Sequence, residues 1–395
     1  MSFPAIVVIA YNRSDALLRL LTSLAKAKFG NHDDVKLIIS IDSGKFSDVI
    51  DVANQFNWQY GEKEVIVHSE QKGLRKHILW AGDLSDKYGS IIMLEDDLYV
   101  SPYFPDYAEN CISYYQNDEK IAGISLFSPS YNETAGFPFS PINDGTDIYF
   151  MQLPSSCGQA WTSKQWKSFK IWLKECDNNI PMNHPAIPSN VRIWAESSWK
   201  KLFVSYMAHQ DLFFVYPRIS LTSNFGDRGT HYAYATTTFQ NQLLYGEKKW
   251  SFISLEKSLA IYDGWGEILS SKIRNLLPID KNDNLVIDLY GAKNISEFKD
   301  GYILTCKDGN NALAHFSRTM KPQDANIINS IKESSEFKLF KISDTKKLNL
   351  KQRFARLLFF AGDLSPFDAL FLPIVIILKK LPNLINKIKP KWIKK

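Results

Sequence analysis

Cysteine is scarce in this chain. The four present (Cys111, Cys157, Cys176 and Cys306) are far apart and fall in no CxxC or metal-ligand spacing. That excludes a disulfide scaffold and a zinc knuckle, and points to free thiols in a reducing compartment. Glycine patterns that cradle phosphates are missing as well. There is no GxGxxG and no GxxxxGKS, so neither a dinucleotide fold nor a phosphate-loop ATPase is indicated. No basic stretch precedes the first apolar segment, so no signal peptide is expected and the catalytic part is expected to be cytoplasmic. The formal net charge of +5 gives no case for a nucleic-acid partner. Core-forming residues are plentiful: 45% of the chain is hydrophobic and 13% aromatic, and 395 residues exceed one ordinary domain.

The most informative stretch is Ser90-Ile91-Ile92-Met93-Leu94-Glu95-Asp96-Asp97-Leu98. Four apolar residues in a row, too few for a helix, predict a strand buried on both faces. It ends in three adjacent carboxylates, which repel one another unless a cation or hydrogen-bond donors sit there. In open α/β sheets ligands bind beyond the carboxyl ends of the strands, and a hard divalent ion bridging a carboxylate and substrate phosphates suits such a turn. Two further strands, at 5–10 and 35–41, run into Tyr11-Asn12-Arg13 and Asp42-Ser43-Gly44. Helices are predicted over 16–26, 47–56 and from 74, with a short strand at 65–67. Strand, helix, strand, helix, strand is a doubly wound α/β layout with right-handed crossovers. Beyond it, 104–116 reads as a helix, 121–126 as a strand, 132–147 as a loop and 165–176 as a Trp-rich helix.

The order of these pieces resembles a GT-A glycosyltransferase, specifically the family of N-acetylglucosaminyltransferase I and its protein O-mannose relatives. The shared marks are Ala10-Tyr11-Asn12-Arg13, Asp42-Ser43-Gly44, Lys76-His77 with Trp80, Glu95-Asp96-Asp97-Leu98 and Pro102-Tyr103-Phe104. Weaker ones follow at Pro154 to Trp161, at Ile193 to Lys200, at Tyr216 to Gly226 and at Gly229-Thr230-His231. The resemblance spans about residues 4–232. It implies a GT-A (Rossmann-like) nucleotide-sugar-binding domain and an inverting transfer assisted by a divalent metal, Mn2+ or Mg2+. Carried over residue by residue, it implies Asp97 as metal ligand, Arg13, Asp42, His77, Glu95 and Asp96 as donor contacts, and Trp161 and His231 as acceptor or diphosphate contacts. The family's catalytic base, an Asp in Trp-Asp-x-Trp, is not in place. Ser197 stands there, and Glu196 is the nearest carboxylate and so the nominee. Apolar rings at Trp194 and Trp199 are expected to raise the Glu196 pKa.

The expected division is a GT-A domain over 1–240, a smaller C-terminal α/β region over 241–345 with strands at 284–290 and 302–305, and a basic, apolar tail over 346–395. The tail's apolar run, 367–378, is shorter than the ~20 residues needed to span a bilayer and is flanked by lysines. It is therefore expected to anchor the chain peripherally at the inner face of a cell membrane. The expected partners are a nucleotide-sugar donor (a UDP-sugar foremost) and a glycan or lipid-linked glycan acceptor, in bacterial surface-polysaccharide synthesis. Two alternatives stand beside this reading. A sugar nucleotidyltransferase would need a Gly-rich basic loop after the first strand, which Tyr11-Asn12-Arg13 is not. A non-catalytic GT-A-like sugar-binding protein would account for the missing Asp.

Overall fold

The computed structural model describes residues 3–177, 179–227 and 237–362, together with 365, 373–374 and 377. His231 lies outside the described residues, as does most of the apolar run 367–378.

The first unit alternates as the apolar pattern dictates. It comprises β1 (Ala5–Ala10), α1 (Ser14–Leu24), β2 (Leu37–Ile41), α2 (Ser47–Gln55), β3 (Lys63–Val67), α3 (Leu74–Asp83), α4 (Ser85–Tyr88) and β4 (Ser90–Glu95). Then come β5 (Leu98–Val100), α5 (Phe104–Tyr115), β6 (Ile121–Ser125), the hairpin β7 (Tyr131–Asn132) and β8 (Phe137–Pro138), β9 (Ile148–Met151), β10 (Gln159–Thr162) and α6 (Ser163–Glu175). The chain continues through α7 (Ser189–Arg192), α8 (Trp199–Gln210), β11 (Phe213–Pro217), β12 (Thr222–Asn224) and β13 (Ile261–Tyr262).

Nine of these strands form one sheet in the order β13-β9-β11-β6-β10-β4-β1-β2-β3. The run β4-β1-β2-β3 is parallel throughout. β1 shows why its sequence is apolar at every position. Ala5, Val7 and Ile9 pack in one core with α3, α6 and α8, while Ile6, Val8 and Ala10 pack in the other with α1, α2 and α5. Both faces are covered, so neither parity of residue can be polar. β10 interrupts the parallel order, pairing antiparallel with β4 on one side and with β6 on the other. The tight fit under α3 depends on Gly82, where an added Cβ would lie 2.0 Å from the Trp166 ring.

After β13 the chain builds a second, four-stranded sheet, β14-β15-β17-β16, from β14 (Leu285–Asp288), β15 (Tyr302–Thr305), β16 (Ala314–Phe316) and β17 (Phe337–Lys341). Short helices α9 (Ser270–Ile273) and α10 (Asp324–Ile328) accompany it, and α11 (Leu350–Ala361) closes the described chain. β13 still belongs to the large sheet, pairing with β9, so the boundary expected at residue 240 falls ahead of that sheet's last strand. The stretch expected to be a plain loop, 132–147, begins within the β7–β8 hairpin. No helix among the described residues is long and apolar enough to cross a membrane.

Candidate active site at the strand ends

The sheet register gathers the acidic turn, Arg13 and Asp42. Ile9 of β1 lies opposite Glu95 of β4, and Ala10 lies opposite Ile41 of β2. Tyr11 to Arg13, Asp42 and Glu95 to Asp97 therefore leave the same edge of three adjacent parallel strands. Backbone hydrogen bonds hold the turns there: Asp42 N donates to Ala10 O (2.9 Å) and Asp96 N to Ile9 O (3.1 Å).

Arg13 closes the acidic turn. Its guanidinium pairs with Asp96 and reaches Asp97 Oδ2 at 3.2 Å. Burial works against the Arg13 charge, but Asp96 and Asp97 outweigh it and raise the pKa. One cation does not neutralise three acids. Burial, with Asp97 and Asp96 beside it, pushes Glu95 up to about 8, against the pull of Arg13 and Lys200. Burial likewise pushes Asp96 up to about 6 despite its pairing with Arg13. Carboxylates crowded together against burial in this way leave the turn with an unmet affinity for positive charge.

Asp42 is buried, and both of its carboxylate oxygens are engaged, Oδ1 by Lys72 N (2.8 Å) and Oδ2 by Gly73 N (2.9 Å). It thereby fixes the loop leading into α3, and Gly73 meets that loop with a positive φ of 73°. His77 is also buried. Its Nε2 lies 2.7 Å from Ser40 Oγ, which lies 3.0 Å from His68 Nε2. Burial lowers the His77 pKa to about 4, so the ring is neutral at pH 7 and faces a strand hydroxyl.

Trp161 is fully buried in β10, ringed by Trp166, Trp199, Phe203 and Phe214. It fills the core. Glu196 is brought to the N-terminal end of α8, yet its side chain is 83% exposed and held by Lys201 Nζ at 2.5 Å. That hydrogen bond and charge lower the Glu196 pKa, opposite to the expected rise. Trp194 and Trp199 flank it in sequence without covering it.

Several residues not singled out in the sequence surround the turn. Half-buried Tyr11 and Phe46 meet edge to face (centroids 5.1 Å) at the ends of β1 and β2, the kind of aromatic surface on which a flat base can rest. Lys200, in the first turn of α8, acts electrostatically on Glu95 and on Cys157. A cation in a helix's first turn opposes the helix dipole, which is the signal that could have marked it. Gln159 is fully buried opposite Met93, and neither its Nε2 nor its Oε1 has a partner. Behind the turn, β12 pairs with β5, Phe225 N donates to Asp97 O (3.1 Å), and Arg19 lies over the Phe225 ring while pairing with Asp227.

Strand order, crossovers and the acid-tipped β4 define a GT-A, Rossmann-like fold. Residues 5–162 match the family model described as Glycosyl transferase family 2, so this part of the chain is similar to the domain of that family. No curated protein matches the chain. Solved structures give only slight likenesses. S. aureus TarS is 14% identical, with a TM-score of 0.34 over 56% of this chain and 36% of that one. Its 1–349 form is 14% identical, with a TM-score of 0.34 over 55% and 59%. The mannosyltransferase PcManGT from Pyrobaculum calidifontis, in complex with GDP-Man and Mn2+, is 12% identical, with a TM-score of 0.30 over 47% and 50%. The chain thus covers less than two thirds of each of these proteins, and likeness this slight assigns no residue here.

Glu95, Asp96 and Asp97 offer hard oxygen ligands whose mutual repulsion is incompletely met by Arg13, which fits Mg2+ or Mn2+ bound through one or two carboxylates plus phosphate oxygens. No group of three or more such ligands converges among the described residues, so such an ion would depend on the substrate for the rest of its shell.

Proposed function

We propose that this chain is a metal-dependent, inverting glycosyltransferase that moves a sugar from a nucleotide-sugar donor, a UDP-sugar foremost, to a glycan or lipid-linked glycan acceptor in bacterial surface-polysaccharide synthesis. The observation carrying this reading is the acidic turn after β4, undercompensated in charge and set beside Arg13, Tyr11 and Asp42 at one sheet edge. Asp97 would hold the ion, Asp96 and Glu95 the ribose or donor-sugar hydroxyls, and Arg13 the phosphates. The bound ion supplies Lewis-acid stabilisation of the leaving diphosphate. Tyr11 with Phe46 gives the base a surface to stack on. An N-acetylhexosamine donor is the narrower form of this reading, resting on the motif order alone. The test is thermal shift with UDP, GDP and dTDP, with and without Mn2+, on wild type and Asp97→Ala. A shift that needs Mn2+ and one nucleotide, and vanishes in the variant, supports it. No nucleotide binding with any metal overturns it.

The peripheral-membrane part of the reading is supported by α11. Its capping box at Asn349 and Gln352 fixes the first turn. Phe360 stacks on Phe137 (4.6 Å) and Tyr290 (5.8 Å), and Arg356 donates to Tyr290 O, so one face is docked. The opposite stripe, Leu350, Phe354, Leu357 and Leu358, is exposed, with Leu350 at 84%. Lys346, Lys347, Lys351 and Arg353 flank it, and 345–362 contains no acid. Such a face suits an anionic lipid surface. Co-sedimentation with phosphatidylglycerol vesicles, lost in Phe354→Glu/Leu357→Glu, is the expected result; equal binding by both proteins counts against it.

A further inference from the structure

We propose that Glu133, at the turn of the β7–β8 hairpin, takes the proton from the attacking acceptor hydroxyl, and that the recess beside it receives a substituent of the acceptor sugar. This rests on the transfer reading above.

The recess has a volume of about 40 Å³ and is lined by Tyr131, Asn132, Glu133, Met151, Asn190 and Trp194 among others. That is room for a small group, such as a hydroxymethyl or acetamido arm, rather than a pyranose ring. Met151 makes an apolar wall, Asn132 and Asn190 contribute amides, and Trp194 and Tyr131 contribute rings. An apolar pocket with a few placed polar groups is how proteins hold small polar ligands.

Hydrogen bonds hold the hairpin turn that carries Glu133. Asn132 Oδ1 accepts from Thr134 N and Ala135 N, each at 3.0 Å, and its Nδ2 donates to Trp265 O at 2.7 Å. Thr134 Oγ1 donates to Asn190 Oδ1 at 2.8 Å, tying the turn to α7. A base held this way needs no reorganisation when substrate arrives.

Lys200 connects this turn to the acidic one. Its Nζ lies 3.8 Å from Glu133 Oε1 and 5.2 Å from the centre of the Trp194 ring. The same ammonium pulls on Glu95, and the Cys157 thiol feels Lys200, Asp97, Glu95 and Glu133 together. Lys200 thus pairs with Glu133 while lying within electrostatic reach of Glu95 in the acidic turn. Glu196 differs in position: it is exposed and does not line the recess.

In the step assigned to Glu133, the acceptor oxygen bonds to the donor's anomeric carbon as that carbon's bond to the diphosphate oxygen breaks. The bonding pair leaves with the nucleoside diphosphate, and the hydroxyl proton passes to the Glu133 carboxylate. No oxidant or reductant is involved.

The experiment uses the full chain with Mn2+, a panel of UDP-, GDP- and dTDP-sugars, and p-nitrophenyl glycosides or water as acceptors, following nucleoside diphosphate release. Glu133→Gln should lower release at least ~100-fold while its Kd for the nucleoside diphosphate and its melting temperature stay at wild-type values. Glu133→Asp should recover part of the rate, and Trp194→Ala should raise KM for the glycoside more than it lowers transfer to water. Wild-type release by Glu133→Gln, or the loss appearing in Glu196→Gln instead, overturns the assignment. So does a wild type that binds nucleotide yet releases none from any donor with any acceptor. A wild type that binds no nucleotide overturns the transfer reading itself, which is a separate failure.

Discussion

The guanidinium of Arg13 is paired with the carboxylate of Asp96, so one ion pair fastens the end of β1 to the turn that follows β4. Arg13→Ala should leave a buried carboxylate without its cation, at a cost of about 1–3 kcal/mol at pH 8. The sign with pH follows from Asp96, whose folded pKa of about 6 is already above its ordinary value because of burial. Without Arg13 it rises further, so the folded variant prefers the protonated acid. Its deficit should be largest above that pKa and shrink as pH falls toward 4. Urea titrations of both proteins at pH 8 and pH 5 check this; a deficit that is constant or grows at pH 5 contradicts it.

His77 makes the opposite demand on pH. Burial, reinforced by His68 and Lys72 and opposed by Asp42, lowers its pKa to about 4. A histidine depressed in the fold is protonated first in the unfolded chain. Stability is therefore unaffected above pH 6.5 and declines as pH falls from 6.5 to about 4, by up to a few kcal/mol. His77→Gln, whose amide can still reach Ser40, should flatten that decline. Equal slopes for wild type and variant over this window would remove His77 as its source.

Gly82→Ala should destabilise by about 1–3 kcal/mol, because the new methyl would overlap the buried Trp166 ring. Trp166→Phe costs core packing by itself, yet it should absorb part of the Gly82→Ala penalty. A double-mutant cycle read by denaturant midpoints tests this, and strict additivity would show that the two positions do not meet.

Phe360→Ala should loosen α11 by removing its stacks on Phe137 and Tyr290. Trypsin cleavage at Lys351 and Arg353 should speed up while the rest of the chain keeps its melting temperature. Unchanged cleavage would mean that other contacts of α11, such as Arg356 on Tyr290, suffice to hold it.

What could be read in the sequence was whatever depends on a residue's immediate neighbours. β1, β2 and β4 are apolar at nearly every position because both faces are covered, and the acids that follow β4 stand out against that run. Contacts across the chain were not readable. Trp161 stood in a motif-like segment, but only the antiparallel insertion of β10 shows that it points into packed rings. The pairing of Glu196 with Lys201 depends on the first turn of α8, and the engagement of Asp42 by two backbone N–H groups on the path of the 70–73 loop. Glu133 falls in a stretch whose composition predicts a loop, because a hairpin of two-residue strands is too short to leave a period. β16 and β17 were missed for a related reason. Lys338 and Lys341 interrupt the apolar residues of β17 and His315 those of β16, and the pairing of β17 with both β15 and β16 supplies what the pattern lacks.

The antiparallel placement of β10 sets where this protein can be cut. Among the described residues, strand pairing passes from one half of the large sheet to the other only through that four-residue strand, with β4 on one flank and β6 on the other. A fragment ending before residue 159 would leave both flanks as bare edges of apolar strands, inviting intermolecular pairing. A fragment ending at 162, where the family match stops, would keep β10 but strip β6 and β9 of β11. Excised pieces meant to stay monomeric should therefore run past β13, and the yield of soluble protein as the cut site moves from 150 to 270 would trace that dependence directly.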